Sequence, residues 1–184
     1  MYKRFAQATA LLLCSSQAYA DSINVDFTAT ILETTCAMKL QGGTGSDAYK
    51  TLTIGAGGLI GLDKIILKDP SASAPFSIIA HSCSAGTSKI STKITATASG
   101  SAPKLIVPAS GSGSTTSFIG AGIYRAGTSD ANMLSLNSDG AMLWTNDDIT
   151  AGKVDLIVVL RETQSGSGTP GIFNATATIS FSYE

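Results

Sequence analysis

Charge is scarce in this 184-residue chain: Asp, Glu, Lys and Arg together make up 14% of it, with 12 basic residues against 13 acidic. No cluster of lysine and arginine interleaved with aromatics occurs, which excludes a nucleic-acid-binding surface of the usual basic kind. Histidine occurs once, at His81, and cysteine three times. So small a supply of soft ligands fits no zinc pattern. The chain also lacks any apolar run near the roughly 20 residues that a membrane-spanning helix needs. No segment keeps a helical period beyond about two turns, and no phosphate-binding loop is present, because the glycine-serine run Ser110–Ser114 is not followed by the lysine such a loop requires.

What is abundant is glycine, serine, threonine and alanine, the composition of an exported all-β domain with many turns. The first twenty residues, MYKRFAQATALLLCSSQAYA, read as a secretory signal peptide. Lys3 and Arg4 form the basic start, Ala6 to Leu13 the short apolar stretch, and Ala18-Tyr19-Ala20 the small residues of a cleavage site. Cleavage there leaves 164 residues beginning at Asp21, with 10 basic and 13 acidic residues and a net charge near −3. It also removes Cys14. Cys36 and Cys83 remain, an even pair in an oxidising compartment, which predicts a disulfide. Closing that loop constrains the unfolded chain by about 4 kcal/mol on the chain-entropy account. A reactive or metal-binding thiol pair is the competing reading, and the spacing does not favour it.

Hydrophobic period predicts strands. Ile23, Val25, Phe27, Ala29 and Ile31 alternate with Asn24, Asp26, Thr28 and Thr30. Further strands are expected over Lys50–Ile54, Leu62–Lys68, Phe76–Cys83, Lys89–Ala98, Lys104–Val107, Ser117–Tyr124, Met133–Leu136, Val154–Arg161 and Ile172–Tyr183. Turn-rich stretches separate them, and many short strands at this spacing predict one sandwich domain. Alternation fails at Ile65-Ile66-Leu67 and over Leu156–Leu160, as expected for a strand covered on both faces or, in the first case, bulged. The two terminal strands are long and regular, and neither carries the basic residues or bulges that usually blunt an exposed sheet edge. Either both lie inside a closed sandwich, or one or both pair with another chain by strand addition.

Candidate chemistry is thin. His81 has no readable serine-aspartate partners and is expected to be structural. Asn146-Asp147-Asp148 lacks the spacing and glycine of a calcium loop, so a solvated turn is expected. Glu33, Asp155 and Glu162 are isolated carboxylates. Trp144 and Tyr124 suit a sugar-stacking platform in principle, but core or groove-rim positions are the expectation.

The stretch DSINVDFTATILETTC is an alternating extension running into the first cysteine. The second cysteine ends the strand FSIIAHSC, and the stretch FIGAGIYRAGTSDANML follows later in the chain. The terminus GIFNATATISFSYE has glycine fourteenth from the end, Gly171, and tyrosine second from last, Tyr183. Together these four features resemble the pilin subunits of chaperone–usher fimbriae, of the type 1 and P pilus kind, to whose characteristic hairpin the third stretch is similar. The resemblance implies an all-β fold, an incomplete immunoglobulin-like sandwich lacking its seventh strand, over 36–184, preceded by an N-terminal extension over 21–35. It implies a groove lined or bordered by Gly171, Phe173, Ala175, Ala177, Ile179, Phe181 and Tyr183. A periplasmic pilus chaperone fills that groove first. At the outer-membrane usher, the extension of a neighbouring fimbrial subunit replaces the chaperone strand. Ile23, Val25, Phe27, Ala29 and Ile31 are then the side chains this chain donates in turn.

Ala29 departs from the family, where glycine is usual at that position, so the donor partner is expected to be particular. Only six residues precede Phe27 after cleavage, which is similar to minor tip or adaptor subunits rather than to rod subunits. The implied function is a structural subunit of a fimbria on the outer cell surface, reached through the periplasm, with no cofactor and no catalysis. Any host receptor is engaged indirectly. The alternative function is a pilin-domain adhesin that itself binds a host glycan or protein. A secreted enzyme is the third class, and the sequence supplies no nucleophile–base set for it.

Overall fold

Central to the larger sheet is β8, Lys153–Glu162, where Val154, Leu156, Val158 and Leu160 turn one way and all are buried. It pairs antiparallel on one side with β4, Ser73–His81, and on the other with β6, Ile119–Arg125. The structure is a computed structural model that describes residues 35–184. The expected signal peptide, the donor residues Ile23, Val25, Phe27, Ala29 and Ile31, and Glu33 therefore lie outside the described residues.

The four-stranded sheet runs β1-β4-β8-β6, with β1, Ala37–Gln41, on its edge. Register places Phe76 opposite Leu156 and Ile78 opposite Val154, while Val158 lies between Ala74 and Ile123. These period-two faces build one wall of the core. The facing sheet runs β7-β5-β9, comprising Met142–Leu143, Ile90–Ala96 and Ala177–Tyr183. From it Ile90, Thr92 and Ile94 enter the core. Thr92 is wholly buried, and its hydroxyl accepts a 3.0 Å hydrogen bond from Trp144 Nε1, which satisfies both groups. A small hairpin of β2, Thr44–Gly45, and β3, Lys50–Thr51, lies beside these sheets.

The disulfide joins Cys36 to Cys83, just outside the first β1–β4 pair, Ala37 with His81. The expectation that Leu156–Leu160 is buried on both faces holds over Val158–Leu160, all buried, while Ile157 on the outer face is only half-buried. Other expectations change. Leu62–Lys68 is not a strand but a helix, α1, over Leu62–Ile66, turned back by Lys68 at a φ of 56°. Leu62 and Ile65 share a helical face against the core, while Ile66 and Leu67 remain 48% and 73% exposed. Three successive apolar residues fit a short helix and a buried strand equally, and burying one in three favours the helix. Lys104–Val107 contributes only single bridges from Ile106 to Ala98 and Ala121, and Met133–Leu136 forms no strand. Asn146–Ala151 is a second helix, α2, whose Thr145 and Asp148 form a reciprocal capping box, so Asn146-Asp147-Asp148 is its first turn.

Candidate strand-accepting edge

The C-terminal stretch alternates without a fault. Phe173, Ala175, Ala177, Ile179, Phe181 and Tyr183 are half-buried and pack against the core, while Ile172, Asn174, Thr176, Thr178, Ser180 and Ser182 are exposed. None of the six inward residues reaches full burial, unlike their counterparts on β8. Along the sandwich margin facing them, Cys36, Met38, Leu40, Leu52, Ile54, Ile60 and Leu62 are likewise half-buried against the core. Tyr183 meets Cys36 and Gly168 lies against Leu62, which puts β9 on one side of an apolar strip and β1 with the chain after it on the other.

Both ends of the strip are pinned. At one end the Tyr183 hydroxyl donates to the Cys36 carbonyl at 3.3 Å. Burial raises the Tyr183 pKa above its ordinary value of 10.0, so the phenol stays protonated and able to donate. At the other end Gly171 lies so close to Thr115 and Thr116 that a Cβ would fall 2.6 Å from Thr115 Oγ1 and 2.9 Å from Thr116 N. Only glycine passes there without moving the neighbour.

Backbone groups show what the edge offers. Glu184 exchanges both backbone bonds with Lys89, at 3.0 and 2.9 Å, which sets the parity of the β9–β5 ladder. By alternation, even-numbered residues of β9 turn their N–H and C=O toward β5, and odd-numbered residues turn theirs toward the opposite edge. Among the described residues no strand pairs with that edge. The inward side chains and the unpaired backbone groups thus belong to the same residues.

The ladder covers less than the alternation predicts. Regular pairing runs only over Ala177–Tyr183, and the lead Ile172–Thr176 is extended without a strand partner. Its outward backbone bonds go to the Ser112–Thr116 loop. Thr115 N donates to Ile172 O at 2.8 Å, and Ile172 N donates to Thr115 Oγ1 at 2.8 Å. Asn174 N donates to Ser114 Oγ at 2.7 Å, and that hydroxyl donates back to Asn174 O at 3.0 Å.

The remaining candidates are dispersed. His81 is exposed at the end of β4, with Nδ1 3.3 Å from Ser82 Oγ. Trp144 is in the core, whereas Tyr124 lies in a 450 Å³ cleft on the outer face of the large sheet, so no aromatic platform forms from the two. Of the carboxylates read as isolated, the two within the described residues, Asp155 and Glu162, have partners. Asp155 accepts from Ser77 Oγ at 2.6 Å and pairs with Lys153 at 2.9 Å, and these hold its pKa below the ordinary value. Glu162 accepts from the backbone N–H groups of Gly166 and Gly168. Partial burial alone raises the Asp148 pKa, but the Thr145 bonds and Arg125, 2.9 Å away, outweigh it and lower the pKa overall. Sequence reasoning missed the two-point pairing of Arg161 with Asp130, at 2.5 and 3.0 Å, because 31 residues separate them and no local pattern couples them. Among the described residues no group of three or more His, Cys, Asp or Glu is placed to hold a metal ion.

In an immunoglobulin constant-type sandwich the sheets are A-B-E-D and C-F-G. Here β1-β4-β8-β6 takes the first order, and β5-β9 takes the place of C and F; the G position lies on the unpaired side of β9. The fold is therefore an all-β, incomplete immunoglobulin-like sandwich. The solved P pilus rod subunit PapA is similar in fold, with a TM-score of 0.52 at 12% identity over 88% of this chain and 100% of that chain. The P pilus adaptor subunit PapF reaches only 0.39, at 18% identity over 61% of this chain and 74% of its own, too low to bear on the fold. A fimbrial-like protein of Escherichia coli (strain K12), YadM, is 44% identical over 179 residues, covering 94% of this chain and 93% of its own length. The family model described as "Fimbrial protein" matches residues 25–184, and the chain belongs to that family.

Proposed function

We propose that the protein is a structural subunit of a bacterial surface fimbria that polymerises by donor-strand exchange. The observation that carries this reading is the coincidence, on β9, of an unpaired backbone edge with a row of half-buried apolar side chains. A β-strand alternating apolar and polar residues satisfies both at once, filling the strip and completing the ladder. Gly171, Phe173, Ala175, Ala177, Ile179, Phe181 and Tyr183 form the accepting side. Ile23, Val25, Phe27, Ala29 and Ile31 are the side chains offered to a neighbour. Burying four or five of these, at about 1.5–3 kcal/mol each, is a large gross gain.

A periplasmic chaperone holds the edge before assembly, and the outer-membrane usher hands it to the next subunit. The finished chain then resides among other subunits outside the cell, in a purely structural role without chemistry of its own. The short lead before Phe27 supports a tip or adaptor place over the rod. Membership in the fimbrial family favours the structural role over a receptor-binding module.

The test is co-expression with a pilus chaperone, followed by addition of a peptide spanning Asp21–Ile31. Capture by the chaperone and its displacement by the peptide are expected. Phe27→Asp in the full chain should abolish donation to a neighbour while leaving chaperone capture intact. A stable monomer indifferent to both chaperone and peptide would sink the reading.

A further inference from the structure

The lead half of the accepting stretch is held by the side chains and backbone of a loop rather than by a ladder, and the bonding is specific. A serine hydroxyl has one proton and two acceptor positions. Ser114 uses all three: it accepts from Asn174 N at 2.7 Å and from Ser112 Oγ at 3.1 Å, and donates to Asn174 O at 3.0 Å. Thr115 does the same for Ile172 with its own N–H and Oγ1. Asn174 Nδ2 adds a longer bond to Ser112 O at 3.4 Å. Ile172 and Asn174 thus have the backbone partners that a strand would give them, supplied by a loop whose Gly111 and Gly113 both adopt positive φ. Two residues of extended chain with these partners fix the orientation of Phe173 and Ala175, which face inward between and after them. The neighbouring Thr116 hydroxyl is buried without a partner, a cost absent from a regular ladder.

We propose that Ser114 and Thr115, braced by Ser112, are positioning residues for strand acceptance: they extend the accepting edge beyond Ala177 to Ala175 and Phe173. This rests on the strand-exchange reading above. The consequence is an edge of two parts. Ala177–Tyr183 is set by β5, and Phe173–Ala175 is set by three hydroxyl-bearing side chains, so the reach of the edge is tuned by loop residues that never touch the incoming strand.

The test uses the full chain and three fluorescent peptides of its own sequence: Asp21–Ile31 and the truncations Asp21–Phe27 and Val25–Ile31. Ser114→Ala and Thr115→Val are compared with wild type and with Ser114→Thr, which keeps the hydroxyl. Loss of these bonds is expected to weaken the longest peptide about tenfold in Ser114→Ala. One truncation, the one lying along Phe173–Ala175, should weaken equally, and the other should be unchanged. Ser114→Thr should recover most of the loss. An equal fall for all three peptides would mean general loosening, and no fall for any would mean the loop is idle; either overturns the proposal. Failure of wild type both to bind any peptide and to be captured by a pilus chaperone would overturn the strand-exchange reading itself, and this inference with it.

Discussion

Strand β8, of ten residues, and strand β9, of seven, both turn an apolar row onto the same core, yet they end in opposite conditions. On β8 both backbone edges are paired, and Val154, Leu156, Val158 and Leu160 are fully buried. On β9 one edge is paired, and Ala177, Ile179, Phe181 and Tyr183 stop at half burial although they pack on the same core. The second strand has apolar side chains suited to a covered position, and among the described residues nothing supplies that cover. A regular apolar period therefore reports which face is meant to be dry, and pairing reports whether the domain dries it alone.

Substitutions can break that contrast. Leu156→Ala opens a cavity where nothing can collapse and should cost about 4 kcal/mol in denaturant or thermal melts. Ile179→Ala should cost the isolated subunit well under half as much, and the gap should narrow once a strand peptide is bound. Equal costs without peptide would show that β9 is already fully covered. Next in size is the Cys36–Cys83 bond, which ties the edge strand β1 to β4 on the far side of the strip. Replacing both cysteines by serine should cost about 3 kcal/mol and lower the melting temperature without changing the fold by circular dichroism.

The smallest effect concerns Tyr183. Tyr183→Phe removes the bond to the Cys36 carbonyl and should cost about 1 kcal/mol. The sign of its pH dependence follows from the raised pKa. The contribution is fully present below the ordinary value of 10.0 and is lost as pH rises through the higher folded-state value. Melts between pH 8 and 11.5 should show wild type converging on Tyr183→Phe at the alkaline end. A constant gap would remove the phenol from the account.

Much of the architecture was legible because its cause is local. Val154–Arg161 announced a strand, and the two cysteines announced their bond. The inward face of the C-terminal stretch was legible for the same reason, since alternation sets side-chain direction. Its partner was not. Phe173 and Ile179 occupy the same pattern, but one stands beside a loop and the other beside a strand, and nothing within the period distinguishes them. Ser112 and Ser114 lie in the glycine-serine run Ser110–Ser114 and Thr115 just after it, and their bonds span 57 to 62 residues. Leu62–Lys68 failed differently. Over so short an apolar run both regular structures are available, and tertiary contact at Leu62 and Ile65 decides between them.

The disulfide also has a mechanical meaning. Under the proposed strand exchange, residue 36 is where the donated segment meets the folded domain, so tension along a fibre enters there. Without the covalent tie, a pull at that point would peel β1 from β4, one pair at a time, beginning at Ala37 and His81. With it, load passes directly to Cys83, and the segment between the cysteines, which stand 47 positions apart, is shielded from stretching. Fully drawn out, that segment would add on the order of 160 Å to each link. An oxidised subunit is a short, stiff link, and a reduced one carries slack that force can release.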